Sequence, residues 1–197
     1  MKPAIKVCGI RDAAFASAAA DMGVDYLGFI FAAASPRRVS VDQAHEIASA
    51  LPNPPRRVGV FAGQTADEIL AIAAAVPLDV VQLHGPYDES AVAAVKKGGF
   101  EVWLLDNGRE TIADAVLLDG RDGGRTGGTG RRADWSRIAA LKGANRRVVL
   151  AGGISADNVA AAIQTGADII DVNSSLETFP GVKTLARLEV FIKAAQI

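Results

Sequence analysis

The sequence predicts an α/β protein in which strands and helices alternate along the whole chain. Short apolar runs rich in Val, Ile, Leu and Phe alternate with alanine-rich stretches of helical periodicity. The strand segments are apolar throughout, as expected when helices cover a parallel sheet. Helix starts are indicated by Thr65 with Glu68 at capping-box spacing, by Asp88 and by Ser155, and Gly166 lies just beyond a helix end.

Eight strands can be placed in chain order, with a helical stretch after most of them. The predicted strands are residues 4–8, 25–31, 57–61, 79–83, 100–105, 115–119, 147–151 and 168–172. The predicted helices are residues 12–22, 41–51, 66–76, 88–97, a stretch that opens at Asp134-Trp135, and residues 157–164 and 183–195.

The number of strands favours a barrel over an open sheet. Eight strand–helix units would take roughly 25 residues each, which is sufficient for a (β/α)8 TIM barrel, whereas a flavodoxin-like sheet would leave about three units unexplained. Only residues 106–114 separate the fifth strand from the sixth, which is too short for a full crossover helix. We therefore expect residues 1–197 to form a single compact barrel domain whose fifth helix is missing or reduced to a turn.

Composition excludes several classes of protein. The formal net charge of −1 argues against a nucleic-acid-binding protein, which normally carries a basic excess. No apolar run approaches the ~18 residues of a membrane span, and the start of the chain lacks the apolar stretch of a signal peptide. A single cysteine cannot form an internal disulfide. We expect a cytoplasmic protein that binds neither nucleic acid nor membrane.

Polar residues follow the ends of the predicted strands, where active sites lie in barrels of this kind. Cys8 ends the first strand, His84 follows the fourth, Asp119 ends the sixth and Asp171 lies near the end of the eighth. The loop after the second strand contains Arg37, whose guanidinium would lie over the barrel mouth. We expect these side chains to share one rim of the barrel.

The segments after strands seven and eight predict a phosphate site. Gly152 and Gly153 follow strand seven and lead into a helix, and Asn173 and Ser174 follow strand eight. Loops at these two positions, together with a helix N-terminus, are the usual phosphate site of such barrels. A pair of glycines lets backbone N–H groups approach phosphate oxygens closely.

The loop after strand six is rich in glycine, with six glycines between residues 120 and 130. A surface connection without function is one interpretation. The position of the loop directly after Asp119 favours another, a lid with glycine hinges that closes over a ligand and excludes water. Gly128 is the residue of this loop that we expect to contact the ligand.

A set of short motifs in fixed order carries a family resemblance. The motifs are Lys6-Val7-Cys8-Gly9-Ile10, Gly28-Phe29-Ile30-Phe31 with Ser35-Pro36-Arg37, Val81-Gln82-Leu83-His84-Gly85, Leu118-Asp119 with Gly127-Gly128-Thr129-Gly130, Leu150-Ala151-Gly152-Gly153, and Pro180-Gly181-Val182-Lys183. Together they resemble the phosphoribosylanthranilate isomerases over nearly the whole chain. The resemblance implies an Amadori rearrangement of a small phosphosugar in tryptophan biosynthesis, by a monomer or homodimer without a metal or organic cofactor.

By this resemblance Asp119 is the general acid that opens the sugar ring, and Cys8 is the general base that takes a proton from the second sugar carbon. An ordinary Asp is ionised at neutral pH and an ordinary Cys is a thiol. The site must therefore raise the pKa of Asp119 and lower that of Cys8. Lys6 should face the same side of the strand as Cys8, where its charge would favour the thiolate. The alternatives are a small buried apolar role for Cys8 and a cap or turn role for Asp119.

Three further rim residues have expected roles and alternatives. Arg37 should pair with the anthranilate carboxylate because its planar fork suits bidentate recognition, and neighbouring Arg38 is a competing candidate. His84 would orient polar groups in the mouth, or be a neutral structural histidine bonded to the backbone. Asp171 would support the site with a hydrogen bond, or be an ordinary strand-end residue.

One departure from the family pattern concerns the expected phosphate loop. The chain has Asn173-Ser174-Ser175-Leu176-Glu177 where the family often has Ser-Ser-Gly-Val-Glu, so that Ser175 replaces a glycine.

Three other functions stay open at this point. The first is the related aminoaldose isomerase of histidine biosynthesis, although that enzyme is expected to use two carboxylates and the first strand here ends in Cys8. The second is a non-catalytic barrel that binds a phosphosugar, which would keep the Gly152-Gly153 region without needing both Cys8 and Asp119. The third is a structural partner in a multienzyme assembly, for which the sequence contains no docking tail.

Overall fold

Eight parallel strands close into one barrel in the computed structural model, which describes residues 2–51, 54–120 and 134–195. Each strand pairs with its neighbours in sequence, and β1 closes the barrel by pairing with β8 as well as with β2. The predicted (β/α)8 barrel is confirmed. Its strands are β1 (Ala4–Cys8), β2 (Tyr26–Ile30), β3 (Arg56–Phe61), β4 (Val80–Leu83), β5 (Glu101–Leu105), β6 (Ala115–Leu118), β7 (Val148–Leu150) and β8 (Ile169–Val172).

Helices connect most of these strands. They are α1 (Ala13–Asp21), α2 (Val41–Ser49), α3 (Ala66–Ala75), α4 (Glu89–Lys97), α5 (Ser136–Gly143), α6 (Val159–Gln164) and α7 (Leu185–Ala195). All of residues 106–114 are described, and they contain no helix between β5 and β6, so the predicted loss of the fifth crossover helix is confirmed. Across the described ranges, every helix is too short or too polar to span a membrane.

The helix starts follow the predicted caps with one exception. Thr65 and Glu68 form a capping box, and the side chain of Asp88 caps α4. Ser155 was predicted to start a helix, but α6 begins later, at Val159 after Asn158. The reason is that the Asn158 side chain accepts a hydrogen bond from the Ser155 N–H at 2.9 Å, which holds a turn ahead of the helix.

The last helix also begins later than predicted. The chain forms a short antiparallel hairpin of β9 (Glu177–Phe179) and β10 (Val182–Lys183) before α7. Lys183 was predicted to open the helix, but it pairs with Glu177 in this hairpin, and α7 starts at Leu185. The hairpin was not predicted from the sequence.

A ring of side chains closes the barrel at the amino-terminal ends of its strands. The rings of Tyr26 and Trp103 meet edge to face with centroids 5.2 Å apart. Glu101 accepts hydrogen bonds from Trp103 Nε1 and from Arg147 Nη1, both at 2.6 Å, and Arg147 Nη2 donates to the Tyr26 hydroxyl at 2.8 Å. Buried polar groups are thus paired at this end, and the opposite end, where the strands finish, is the mouth.

Candidate active site

A fully buried lysine lies inside the barrel. Lys6 on β1 has no exposed surface, and its Nζ is 2.6 Å from Asp171 Oδ2 on β8 and 2.9 Å from Gln82 Oε1 on β4. The pairing of β1 with β8 places Lys6 directly beside Asp171. Burial alone would lower the pKa of Lys6, but the charge and hydrogen bond of Asp171, together with Cys8 in its thiolate form, outweigh burial and raise that pKa. Lys6 therefore stays a cation.

The thiol of Cys8 lies beside this lysine, against a glycine of the neighbouring strand. A Cβ on Gly28 would lie 2.9 Å from Cys8 Sγ and 3.2 Å from Lys6 Cε. Gly28 therefore makes room for both side chains, because a larger residue would collide with them. The predicted placement of a cation next to the thiol is confirmed.

The predicted direction of the Cys8 pKa is wrong. Burial raises the pKa of the Cys8 thiol, and the charge of Asp171 raises it further. Lys6 and Lys183 lower it, but not enough to offset the loss of hydration. Burial therefore favours the neutral thiol form of Cys8.

Asp119 follows the end of β6 and lies close to His84. Its side chain is 6 % exposed, and its Oδ2 is 3.4 Å from His84 Nε2. His84 Nδ1 is in turn 3.4 Å from Gln82 Nε2, two residues earlier on β4. A continuous set of polar side chains thus connects Asp119, through His84 and Gln82, to Lys6 beside the thiol.

Gly152 holds the end of β7 against Asp119. Its φ is +81°, and a Cβ there would lie 2.2 Å from the backbone nitrogen of Gly120 and 2.5 Å from Asp119 Oδ1. No side chain fits in that space. Gly152 was expected to approach a phosphate, and in the structure it lets the ends of β6 and β7 meet at Asp119.

Asp171 was predicted to support the site with a hydrogen bond, and in the structure its Oδ2 forms an ion pair with Lys6 Nζ at 2.6 Å. Burial raises the pKa of Asp171, Lys6 lowers it, and the nearby Asp119 raises it, so that the net direction is upward. Asp171, Asp119 and His84 therefore influence one another across the mouth.

Arg37 forms a second charged cluster at the mouth. Its Nε and Nη2 donate to the two carboxylate oxygens of Glu177, both at 2.8 Å, in bidentate geometry. Its Cδ would lie 3.3 Å from a Cβ on Gly9, directly after β1. Arg38 is exposed, whereas Arg37 is half-buried, so the structure favours Arg37 as the arginine of the mouth.

Lys183 completes this cluster. Its Nζ donates to the backbone carbonyl and to Oδ1 of Asn173, at 3.1 and 2.8 Å, and to Glu177 Oε1 at 3.1 Å. Burial would raise the pKa of Glu177, but Arg37 and Lys183 outweigh it and lower that pKa. Two cations thus share one carboxylate, which leaves the cluster with a positive charge.

The segments expected to bind phosphate have the backbone geometry that glycine permits. Gly152 and Gly153 both have positive φ, at +81° and +70°. Ser174 is exposed and opens a single 3-10 turn, Ser174–Leu176. Ser175, which replaces the family's glycine, has no positive φ, so this substitution imposes no left-handed strain. Gly128 and the rest of the expected lid, residues 121–133, lie outside the described residues.

Three residues of the site received no role from the sequence. Gln82, Glu177 and Lys183 are all buried or half-buried polar groups in contact with the predicted residues. One signal was present for Gln82, since it is a polar residue inside an apolar strand and lies on the same face as His84. Glu177 had no such signal, because its partner Arg37 is far away in sequence. Lys183 lies close in sequence to its partners Asn173 and Glu177, but it was predicted to open a helix.

Comparisons with known proteins identify the family. Residues 5–194 match the family model described as N-(5'phosphoribosyl)anthranilate (PRA) isomerase. The chain belongs to this family. An N-(5'-phosphoribosyl)anthranilate isomerase from Rubrobacter xylanophilus is 39 % identical over 203 residues, covering 98 % of each protein.

Solved structures of phosphoribosylanthranilate isomerases have the same architecture. The isomerase from Thermus thermophilus superposes with a TM-score of 0.88 at 31 % identity and 98 % coverage of both chains. Another isomerase structure, at TM-score 0.84, 31 % identity and the same coverage, contains reduced 1-(o-carboxyphenylamino)-1-deoxyribulose 5-phosphate. That relative therefore binds a small phosphorylated ligand.

The role of Gly152 can be tested against a glycine with the same backbone conformation. Gly166 has φ +81° and would meet nothing within 4 Å if it carried a Cβ. We expect Gly166→Ala to cost about 1–2 kcal/mol of unfolding free energy, from left-handed strain alone. Gly152→Ala should cost at least about 1 kcal/mol more, because its methyl group collides with the Gly120 backbone. Chemical unfolding of both variants measures the difference, and equal losses would contradict the close approach.

The protonation of Cys8 can be measured directly because it is the only cysteine in the chain. We expect the ultraviolet absorbance of the thiolate, taken as the difference from Cys8→Ser, to titrate above the ordinary thiol value of 9.0, since burial favours the neutral form. Lys183→Met should move the midpoint further upward, because Lys183 lowers the Cys8 pKa. A midpoint below the ordinary value would contradict the assignment.

Proposed function

We propose that this protein is an isomerase of tryptophan biosynthesis that converts N-(5-phosphoribosyl)anthranilate into 1-(2-carboxyphenylamino)-1-deoxyribulose 5-phosphate. The observation that carries the proposal is the pair of Asp119 and Cys8 at one barrel mouth, connected through buried polar groups, in a chain of this family. The chemistry is an Amadori rearrangement by general acid and base, and the proposal invokes no cofactor.

The first step assigns Asp119 as the general acid. Its proton goes to the ring oxygen of the furanose, the bond from that oxygen to the first sugar carbon breaks, and the nitrogen lone pair forms an iminium group. The side chain of Asp119 is nearly buried, which suits a carboxyl group that must hold a proton before transfer.

The second step assigns the thiolate of Cys8 as the general base. It takes the proton from the second sugar carbon, and the resulting enolamine relaxes to the ketone. Because the thiol is neutral before substrate binds, only those protein molecules in which Cys8 is ionised can catalyse this step. The positive iminium group formed in the first step favours the thiolate, as does Lys6, so ring opening precedes proton removal.

Arg37 is proposed to bind the anthranilate carboxylate. Glu177 occupies its Nε and Nη2, and among the described residues Nη1 makes no hydrogen bond. The substrate carboxylate would bind at Nη1, on a guanidinium whose orientation Glu177 already holds. His84 and Asp171 act at the other side of the mouth, through their contacts with Asp119 and Lys6.

The phosphate is proposed to bind where β7 and β8 end. The backbone of Gly152 and Gly153 and the polar groups of Asn173 and Ser174 would face it, with the N–H groups of the glycine turn as donors. Gly128 would contribute from the glycine-rich loop. We further propose a cytoplasmic enzyme that acts as a monomer or a homodimer.

The central test is turnover of freshly prepared phosphoribosylanthranilate, followed by anthranilate fluorescence. We expect wild-type protein to consume it, and Cys8→Ala and Asp119→Asn each to lose at least ~10²-fold in kcat, the usual scale for removing an acid or base. Both variants should keep their affinity for a product analogue. Wild-type protein that binds the analogue without turnover would instead indicate a non-catalytic phosphosugar-binding barrel.

The assignment of Arg37 is tested by its neighbour. Arg37→Ala should raise KM roughly tenfold to a hundredfold, the scale of a lost charge-assisted hydrogen bond, whereas Arg38→Ala should leave KM unchanged. Glu177→Gln should raise KM as well, because its amide places a donor against the guanidinium. If Arg38→Ala has the larger effect on KM, the exposed arginine is the anchor and the assignment is wrong.

A further inference from the structure

We infer that Gln82 is a positioning residue that sets the tautomer of His84, so that the ring hydrogen on Nε2 faces the proposed acid Asp119. The inference rests on the proposed role of Asp119 as the acid. It follows from the direction of three successive contacts, Lys6 to Gln82, Gln82 to His84 and His84 to Asp119.

Lys6 determines how the Gln82 amide is oriented. An ammonium group has only donors, so the atom of Gln82 that lies 2.9 Å from Lys6 Nζ must be the carbonyl oxygen Oε1. The reverse orientation would place N–H groups against a buried cation. Asp171, at 2.6 Å, keeps Lys6 in its charged form. The Gln82 amide therefore cannot turn its NH2 group toward Lys6.

The oriented amide in turn determines the tautomer of His84. With Oε1 on Lys6, the amide nitrogen Nε2 of Gln82 faces His84 Nδ1 at 3.4 Å. An amide nitrogen can only donate, so Nδ1 must accept and carry no hydrogen. The ring proton of neutral His84 is therefore on Nε2. The distance is long for a hydrogen bond, but such contacts often shorten when substrate binds.

In this tautomer His84 presents an N–H group to Asp119. Its Nε2 lies 3.4 Å from Asp119 Oδ2, the oxygen of this carboxyl group nearest to the ring hydrogen. The N–H of His84 stabilises the carboxylate that remains after Asp119 has given its proton to the sugar ring.

The chain contains an internal contrast, because it has two histidines. Nδ1 of His45, on α2, lies 2.9 Å from the carbonyl oxygen of Ala75. A carbonyl only accepts, so neutral His45 must carry its hydrogen on Nδ1. The two rings are therefore expected to be opposite tautomers.

Nitrogen-15 NMR of the two imidazoles tests the inference without substrate. We expect His84 to be the Nε2–H tautomer and His45 the Nδ1–H tautomer in wild-type protein, with His45→Gln used to assign the signals. Gln82→Glu places a carboxylate against His84 and should put a hydrogen on Nδ1. An Nδ1–H tautomer of His84 in the wild type, or an unprotonated Nδ1 in Gln82→Glu, would overturn the inference.

Kinetics separate positioning from packing. Gln82→Met keeps the length of the side chain and removes the amide, and it should lower kcat about tenfold, less than the ~10²-fold of losing the acid, with KM nearly unchanged. Unchanged kcat in both Gln82 variants would also overturn the inference. If wild-type protein shows the expected tautomers but does not turn over phosphoribosylanthranilate, the proposed function fails while the direction of these hydrogen bonds stands.

Discussion

A positive charge buried inside the barrel is the constraint on which the rest of the site depends. Lys6 has no exposed surface, and an unpaired ion there would cost several kcal/mol. Asp171 pairs with it, Gln82 accepts from it, and Gly28 leaves space for it. The same charge lies next to Cys8 and opposes part of the effect of burial on the thiol.

The two ends of the barrel use buried polar groups for different purposes. At the amino-terminal ends of the strands, Glu101 accepts hydrogen bonds from Trp103 and Arg147, and these side chains close that end of the barrel. At the mouth most polar contacts are equally short, but the two contacts of His84, with Asp119 and with Gln82, are both 3.4 Å long. Short hydrogen bonds stabilise the closed end of the barrel, whereas the long contacts of His84 leave this side chain able to exchange partners with a substrate.

The charges at the mouth are suited to an anionic substrate. Lys6 and Asp171 balance each other, whereas Arg37 and Lys183 share the single carboxylate of Glu177. The surplus positive charge lies beside the end of β1, near Cys8. It would attract the carboxylate of the proposed substrate while Asp119, on the far side, handles the proton of the sugar ring.

The alternation of apolar runs and helical stretches was sufficient to predict the closed barrel, the missing helix between β5 and β6, and the rim that holds Cys8, Asp119, Arg37 and Asp171. These features depend on periodicity and chain length, which a sequence displays directly. The start of α6 and the β9–β10 hairpin depend on local side-chain contacts, which leave no periodic pattern in the sequence. The start of α6 was therefore predicted wrongly, and the hairpin was not predicted.

Tertiary structure alone decided which rim residues meet and how burial acts on them. Lys6 and Asp171 are separated by 165 positions in sequence and pair only because β8 closes against β1. The contact of Gln82 with Lys6 crosses the barrel, so it depends on strand register. The pKa of Cys8 rises because packing removes water from the thiol, and a sequence shows the neighbouring cation without showing that loss of water.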